Sequence, residues 1–123
     1  MSNKKIKVMV VEDEVLIGLM LVKKLRTYGY DVADVVTTGE DSIEFAGKIQ
    51  PSVVLMDVTL AGPMNGIEAA RQIKNKYGIP IIIFTGYNDR SLHDQARQID
   101  PVAILAKMDP ISEIIAAIEK AVS

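Results

Sequence analysis

One pattern dominates this sequence. Short runs of β-branched and apolar residues alternate five times with longer stretches of helical character. A chain written this way is expected to build a parallel sheet, because each helix carries it back to start the next strand in the same direction. The first run is Ile6 to Val11, followed by a helix from about Glu14 to Tyr28 that Gly29 stops. A second strand is expected over Asp31 to Val36. Thr38 then caps a helix running to about Ile49, with Pro51 beyond it. The third run, Ser52 to Met56, is continuously apolar and ends in Asp57. Asn65 and Glu68 have capping-box spacing and open a helix to Tyr77, closed by Gly78. Ile81 to Phe84 forms the fourth strand, ending in Thr85 and Gly86. Asn88 or Asp89 caps a helix to about Gln98, and Val102 to Ala106 is the fifth strand. In the last helix Asp109 is the expected cap and Pro110 the first helical residue. There Ile111, Ile114, Ile115, Ile118 and Val122 draw a helical stripe of core residues.

The third and fourth strands are apolar on both faces, as in a sheet covered by helices on each side. Right-handed crossovers then give an α/β fold, a doubly wound five-stranded parallel sheet. The expected strand order is the flavodoxin-like 2-1-3-4-5, with helices on both faces. The 123 residues fit one domain, 1–123. A formal net charge of −2 argues against nucleic-acid binding through a basic surface. There is no cysteine, so disulfides and thiolate metal sites are excluded. No apolar run approaches the ~20 residues that span a bilayer, and Met1 to Lys5 does not read as a signal peptide. The default location is cytoplasmic.

The polar residues that matter fall at the carboxyl ends of strands. Glu12 and Asp13 follow the first, Asp57 the third, Thr85 the fourth and Lys107 the fifth. In the 2-1-3-4-5 order the first and third strands are neighbours at the switch point where open α/β sheets bind ligands. Three carboxylates would thus meet in one crevice, and they cannot all ionise there without counter-charge. Lys107 supplies one positive charge and a divalent cation the rest. All-oxygen ligands suit Mg²⁺, which keeps several waters and also takes a phosphoryl oxygen. An Asp carboxylate is a competent nucleophile for phosphorus, giving an acyl phosphate. Lys107 and the metal would neutralise charge on the transferring group, and Thr85 would hydrogen-bond a phosphoryl oxygen.

The chain resembles the receiver domains of two-component response regulators, the family of the chemotaxis regulator. The resemblance rests on V-V-E-D-E at 10–14, L-M-D-V at 55–58, M-N-G-I-E-A-A at 64–70, F-T-G at 84–86 and Lys107. It implies that Asp57 is the phosphoacceptor and that Glu12 and Asp13 hold Mg²⁺. It also implies that the backbone carbonyl of Thr59 completes the metal site and that Thr85 and Lys107 contact the phosphoryl group. Its implied partner is a histidine kinase or a histidine phosphotransfer protein, with homodimerisation left open. The chain would catalyse only its own phosphorylation and dephosphorylation, and would not be an enzyme with a separate substrate. Three positions depart from the family pattern: Met108 in place of a Pro, Ile104 in place of Tyr or Phe, and Ala61 in a loop one residue longer before Gly66. The first two bear on how a signal leaves the site.

Each residue alone has a plainer reading. An Asp at a strand–helix turn is commonly a helix cap, and one of Glu12 and Asp13 fits a solvated helix start. Thr85 alone is an ordinary strand end and Lys107 alone a surface lysine. His93 reads as solvent-facing, and Tyr87 as a loop aromatic that in this family borders the phosphate. Val15 to Val22 is uncharged and wider in its apolar face than one sheet face requires. Its readings are deep burial or an exposed strip for a partner, and the family's docking habit favours the strip. A phosphatase of the haloacid dehalogenase type also uses an Asp nucleophile and Mg²⁺. It requires a second Asp two residues on, where this chain has Thr59. A receiver-like binding module that is never phosphorylated is the other alternative.

Overall fold

The computed structural model describes residues 6–60, 62–86, 90–107 and 109–123. Ten elements alternate along the chain: β1 (Lys7–Val11), α1 (Val15–Thr27), β2 (Asp31–Val32), α2 (Gly39–Ile49), β3 (Val53–Asp57), α3 (Gly66–Tyr77), β4 (Ile81–Thr85), α4 (Arg90–Gln98), β5 (Ala103–Ala106) and α5 (Ile111–Val122). The strands form one parallel sheet in the order β2-β1-β3-β4-β5, as the alternation predicts.

Alternate residues along each strand face opposite layers. Met9, Val11, Val54, Met56, Ile81 and Ile83 pack against Ala46, Ile67, Ala70, Ile73 and Ala96 of α2, α3 and α4. Val8, Val10, Val53, Leu55, Ile82 and Phe84 pack against Val22 and Leu25 of α1 and Ile114, Ala117 and Ile118 of α5. Both β3 and β4 are buried at every position, the outcome expected of central strands covered on two sides.

The helix signals hold where local chemistry decides them. The Thr38 hydroxyl accepts from the Asp41 amide, and Gly78 closes α3 with φ +70°. Only half of the Asn65–Glu68 box is present among the described residues. Asn65 accepts from the Glu68 amide at 2.9 Å, while the Glu68 carboxylate is taken by Arg71 and Gln72.

Two expectations are corrected. The second strand does not run to Val36. It pairs only over Asp31–Val32, and Val36 returns as an isolated bridge to Val11. The reason is tertiary: Val35 packs into the notch at Gly18 of α1, where an added Cβ would lie 2.5 Å from the Val35 methyl. Asp109 does not cap α5 either. Its carboxylate accepts from the Ala106 amide at 2.9 Å, and Pro110, extended at ψ 155°, takes the cap position without a side-chain bond. The expected cap of α4 at Asn88 or Asp89, the peptide bond before Met108, and Ala61 and Tyr87 lie outside the described residues.

Candidate functional site

The carboxyl ends of β1, β3, β4 and β5 converge on one acidic crevice. Asp57 closes β3 and is wholly buried. Its Oδ1 accepts from the Thr59 amide at 3.0 Å, and its Oδ2 lies 3.1 Å from Lys107 Nζ. The strand end is held by the Val58 amide, which donates to the Phe84 carbonyl at 2.9 Å. The loop beyond returns against it at Gly66, whose amide donates to the Val58 carbonyl. A Cβ on Gly66 would sit 1.8 Å from the Asp57 carbonyl oxygen, so only glycine allows α3 to start there.

Glu12 follows β1 and is 1% exposed. Its amide donates to the Val36 carbonyl, which explains why the chain rejoins the sheet at that point. Its Oε2 accepts from the Glu14 amide at 3.1 Å and from Lys107 Nζ at 3.2 Å. Its Oε1 lies 3.1 Å from the same ammonium yet receives no directed hydrogen bond, a buried acceptor with capacity left over. Asp13 is half-buried, and one carboxylate oxygen from each of Glu12, Asp13 and Asp57 lies within 4.8 Å of the others. An all-oxygen cluster with a buried acceptor still unsatisfied fits a hard cation, so these three residues can hold a metal ion.

Lys107 follows β5 and reaches back over the crevice. Its amide donates to the Thr85 carbonyl at 3.0 Å, binding the ends of β4 and β5 together. Its side chain is 16% exposed and approaches Asp57, Glu12 and, at 3.4 Å, Glu14. Burial disfavours its charge, but hydrogen bonds to Glu12 and Asp57 outweigh this and raise its pKa above the ordinary lysine value. Glu12 moves the same way for a different reason. Burial, then its hydrogen bond and repulsion with Asp57, push it up to about 7, partly offset by the Glu14 amide and Lys107. Near neutrality Glu12 is therefore poised between its protonated and ionised forms.

Thr85, buried at the end of β4, pairs in register with Ala106, one residue before the lysine. Its side also forms a wall of a hollow of about 400 Å³, lined by Gly86, His93, Ile104, Leu105, Ala106 and Asp109 as well. His93, expected to face solvent, is half-buried on that wall. Part of the apolar run of α1 is exposed: Leu16 by 78%, with Val15, Leu19 and Met20 each more than half open. Of the two readings of α1, deep burial is thus excluded for these four residues. The sequence reading assigned no role to Glu14 or Gly66. Glu14 meets Lys107, and Gly66 is required by the close approach of the Asp57 carbonyl, neither of which a local pattern reveals.

A family profile described as "Response regulator receiver domain" matches residues 8–119. The chain belongs to this family and is a response-regulator receiver domain of two-component signalling. It is 38% identical over 117 residues to the transcriptional regulatory protein PdtaR of Mycobacterium tuberculosis, an alignment covering 95% of this chain and 57% of that protein. The chain thus spans little more than half the length of that relative. It is 33% identical to the DNA-binding response regulator MtrA of the same species over 89 residues, covering 72% of this chain and 38% of MtrA. Among solved structures, the signal receiver domain of a modulated diguanylate cyclase from Desulfovibrio desulfuricans superposes with a TM-score of 0.91 at 30% identity, covering 97% of this chain and 94% of that one.

Proposed function

We propose that the chain accepts a phosphoryl group on Asp57 from a phosphohistidine donor and changes its interaction surface in response. The observation that carries this reading is the setting of Asp57. It is a fully buried carboxylate 3.1 Å from a lysine ammonium and clustered with two further carboxylates. Buried carboxylates are rarely gathered in this way unless they serve a cation or a reaction. Here Glu12, Asp13, Asp57 and the Thr59 carbonyl would hold Mg²⁺. Once bound, the ion would neutralise charge on the transferring group and on the attacking oxygen. Asp57 supplies the nucleophilic oxygen, Lys107 donates to the phosphoryl oxygens, and Thr85 binds one of them from the β4 side. The domain turns over no separate substrate; it catalyses only its own phosphorylation and dephosphorylation.

The donor is a histidine kinase or a histidine phosphotransfer protein. The exposed strip of Val15, Leu16, Leu19 and Met20 lies on the helix that starts directly after Glu14 and suits an amphipathic helix of such a partner. None of the described helices is long and apolar enough to cross a membrane. A cytoplasmic site of action, with no nucleic acid bound through this domain, fits the reading. Homodimerisation remains compatible with it. The test is incubation with acetyl phosphate and Mg²⁺ followed by intact mass. A single phosphoryl adduct on wild type, absent from Asp57→Asn and Asp13→Ala, is expected. Labelling of Asp57→Asn at full stoichiometry would move the acceptor elsewhere, and multiple-turnover hydrolysis of a phosphomonoester such as p-nitrophenyl phosphate would make the chain a phosphatase.

A further inference from the structure

We propose that Glu14 is a positioning residue for Lys107, holding its ammonium at the mouth of the crevice and limiting how readily an anionic phosphodonor is admitted. The inference rests on the reading of Asp57 as acceptor. Glu14 occupies the cap position of α1, with extended backbone at φ −83° and ψ 100°. Ser, Thr, Asp or Asn would there accept from a first-turn amide, but Glu14 makes no such bond. Its carboxylate instead lies 3.4 Å from Lys107 Nζ, and its own amide donates to Glu12 Oε2. The residue is thus joined to the acidic cluster by both backbone and side chain.

The three carboxylates around Lys107 are not equivalent. The side chains of Glu12 and Asp57 are 2% and 1% exposed, whereas that of Glu14 is 63% exposed. An ammonium has three protons to donate, and each of the three approaching carboxylates competes for one. A phosphoryl group arriving at Asp57 needs one of those donors. Glu12 and Asp57 cannot withdraw without leaving a buried charge unpaired, which is costly. Glu14 can turn into water at little cost, because an exposed ion pair contributes little. Glu14 is therefore the partner that yields, and until it does its charge stands at the entrance. In the transfer from acetyl phosphate, the bond between phosphorus and the acetate oxygen breaks and acetate leaves with its electron pair. A bond from Asp57 to phosphorus forms in its place.

A single like charge several ångströms from the reacting group, screened as at a wet surface, changes such a rate roughly threefold. Wild type, Glu14→Gln and Glu14→Asp are to be labelled with dianionic acetyl phosphate and with phosphoramidate, of lower net charge, in low salt and in 0.5 M NaCl. Glu14→Gln is expected to label about threefold faster with acetyl phosphate in low salt, and Glu14→Asp, which keeps the charge, to stay near wild type. The gain should shrink with phosphoramidate and vanish in high salt. A carboxylate that merely steadied the α1 dipole would alter thermal stability without regard to donor charge. A Glu14→Gln rate at or below wild type in low salt overturns the proposal. So does a gain that is the same for both donors and both salts. If wild type itself takes no label that Asp57→Asn abolishes, the acceptor reading falls and this inference with it.

Discussion

Helices α3 and α4 cover the same face of the sheet, and each begins just beyond a strand whose end contributes to the site. Their footing differs. Helix α3 buries Gly66, Ile67, Ala69, Ala70 and Ile73, is capped by Asn65 and ends on Gly78. Of the described side chains of α4 only Ala96 is buried, with Ile99 just after it. The N-terminal half of α4 flanks the 400 Å³ hollow through His93. Its far end is tied by Lys74 of α3, whose Nζ donates to the Ile99 and Asp100 carbonyls at 2.7 Å each. The site thus has a fixed wall on the Asp57 side and a loosely seated one on the Thr85 side. Two helices in the same layer are therefore seated differently, one firmly beside Asp57 and the other by few buried side chains beside Thr85.

The sharpest way to break this contrast is at Gly66. Gly66→Ala should cost at least about 3 kcal/mol in urea unfolding and abolish labelling of Asp57, because its Cβ meets backbone that cannot move aside. A variant as stable as wild type would show that the wall is not fixed. Next comes a pair of truncations. Ile73→Ala in α3, fully buried, should cost about 3 kcal/mol, and Leu92→Ala in α4, half-buried, about 1 kcal/mol. Equal costs would erase the distinction. A smaller effect is expected of Lys74→Met, which removes two hydrogen bonds at the end of α4 and should cost about 1 kcal/mol. Hydrogen exchange should speed up in α4 while α3 stays protected; the reverse pattern would make α3 the loosely seated helix.

A last effect is a pH dependence confined to the Asp57 side. Glu12 has its folded-state pKa raised from 4.5 to about 7. For a group raised in this way the folded state binds the extra proton. Its contribution is fully present below about 4.5 and is lost as pH rises through about 7. Lys107 is also raised and keeps its full contribution across that window. Wild type should therefore lose stability relative to Glu12→Gln between pH 5 and pH 8, read as a difference in Tm. Mg²⁺ should reverse the trend by favouring the ionised carboxylate. A flat difference over that range would mean that Glu12 is not strained by its burial.

How much of this was legible beforehand depends on how far apart the cooperating residues lie. The element order follows from local runs, since Val53–Met56 and Ile81–Phe84 have no alternative to full burial. The five site residues at strand ends were readable because strand order alone brings 12, 13, 57, 85 and 107 together. Local chemistry failed where a distant residue outbid it. Val35 left the expected second strand for the notch at Gly18, and the Asp109 carboxylate turned from α5 to the Ala106 amide. Glu14, at the start of α1, reaches a lysine 93 positions away. The half-buried seat of His93 depends on the hollow beside Ile104, which becomes visible only once β5 is in place.

The position of Lys107 has a consequence for the making of the protein. Its strand is the last of the five and lies at the edge of the sheet, whereas Glu12 and Asp57 belong to adjoining inner strands. In order of synthesis, Glu12, Asp13 and Asp57 are all made before the cation that balances them. A chain that stopped short of the fifth strand would carry these carboxylates without Lys107 beside them. On the proposed reading, a chain shortened in this way is expected to take no label from acetyl phosphate.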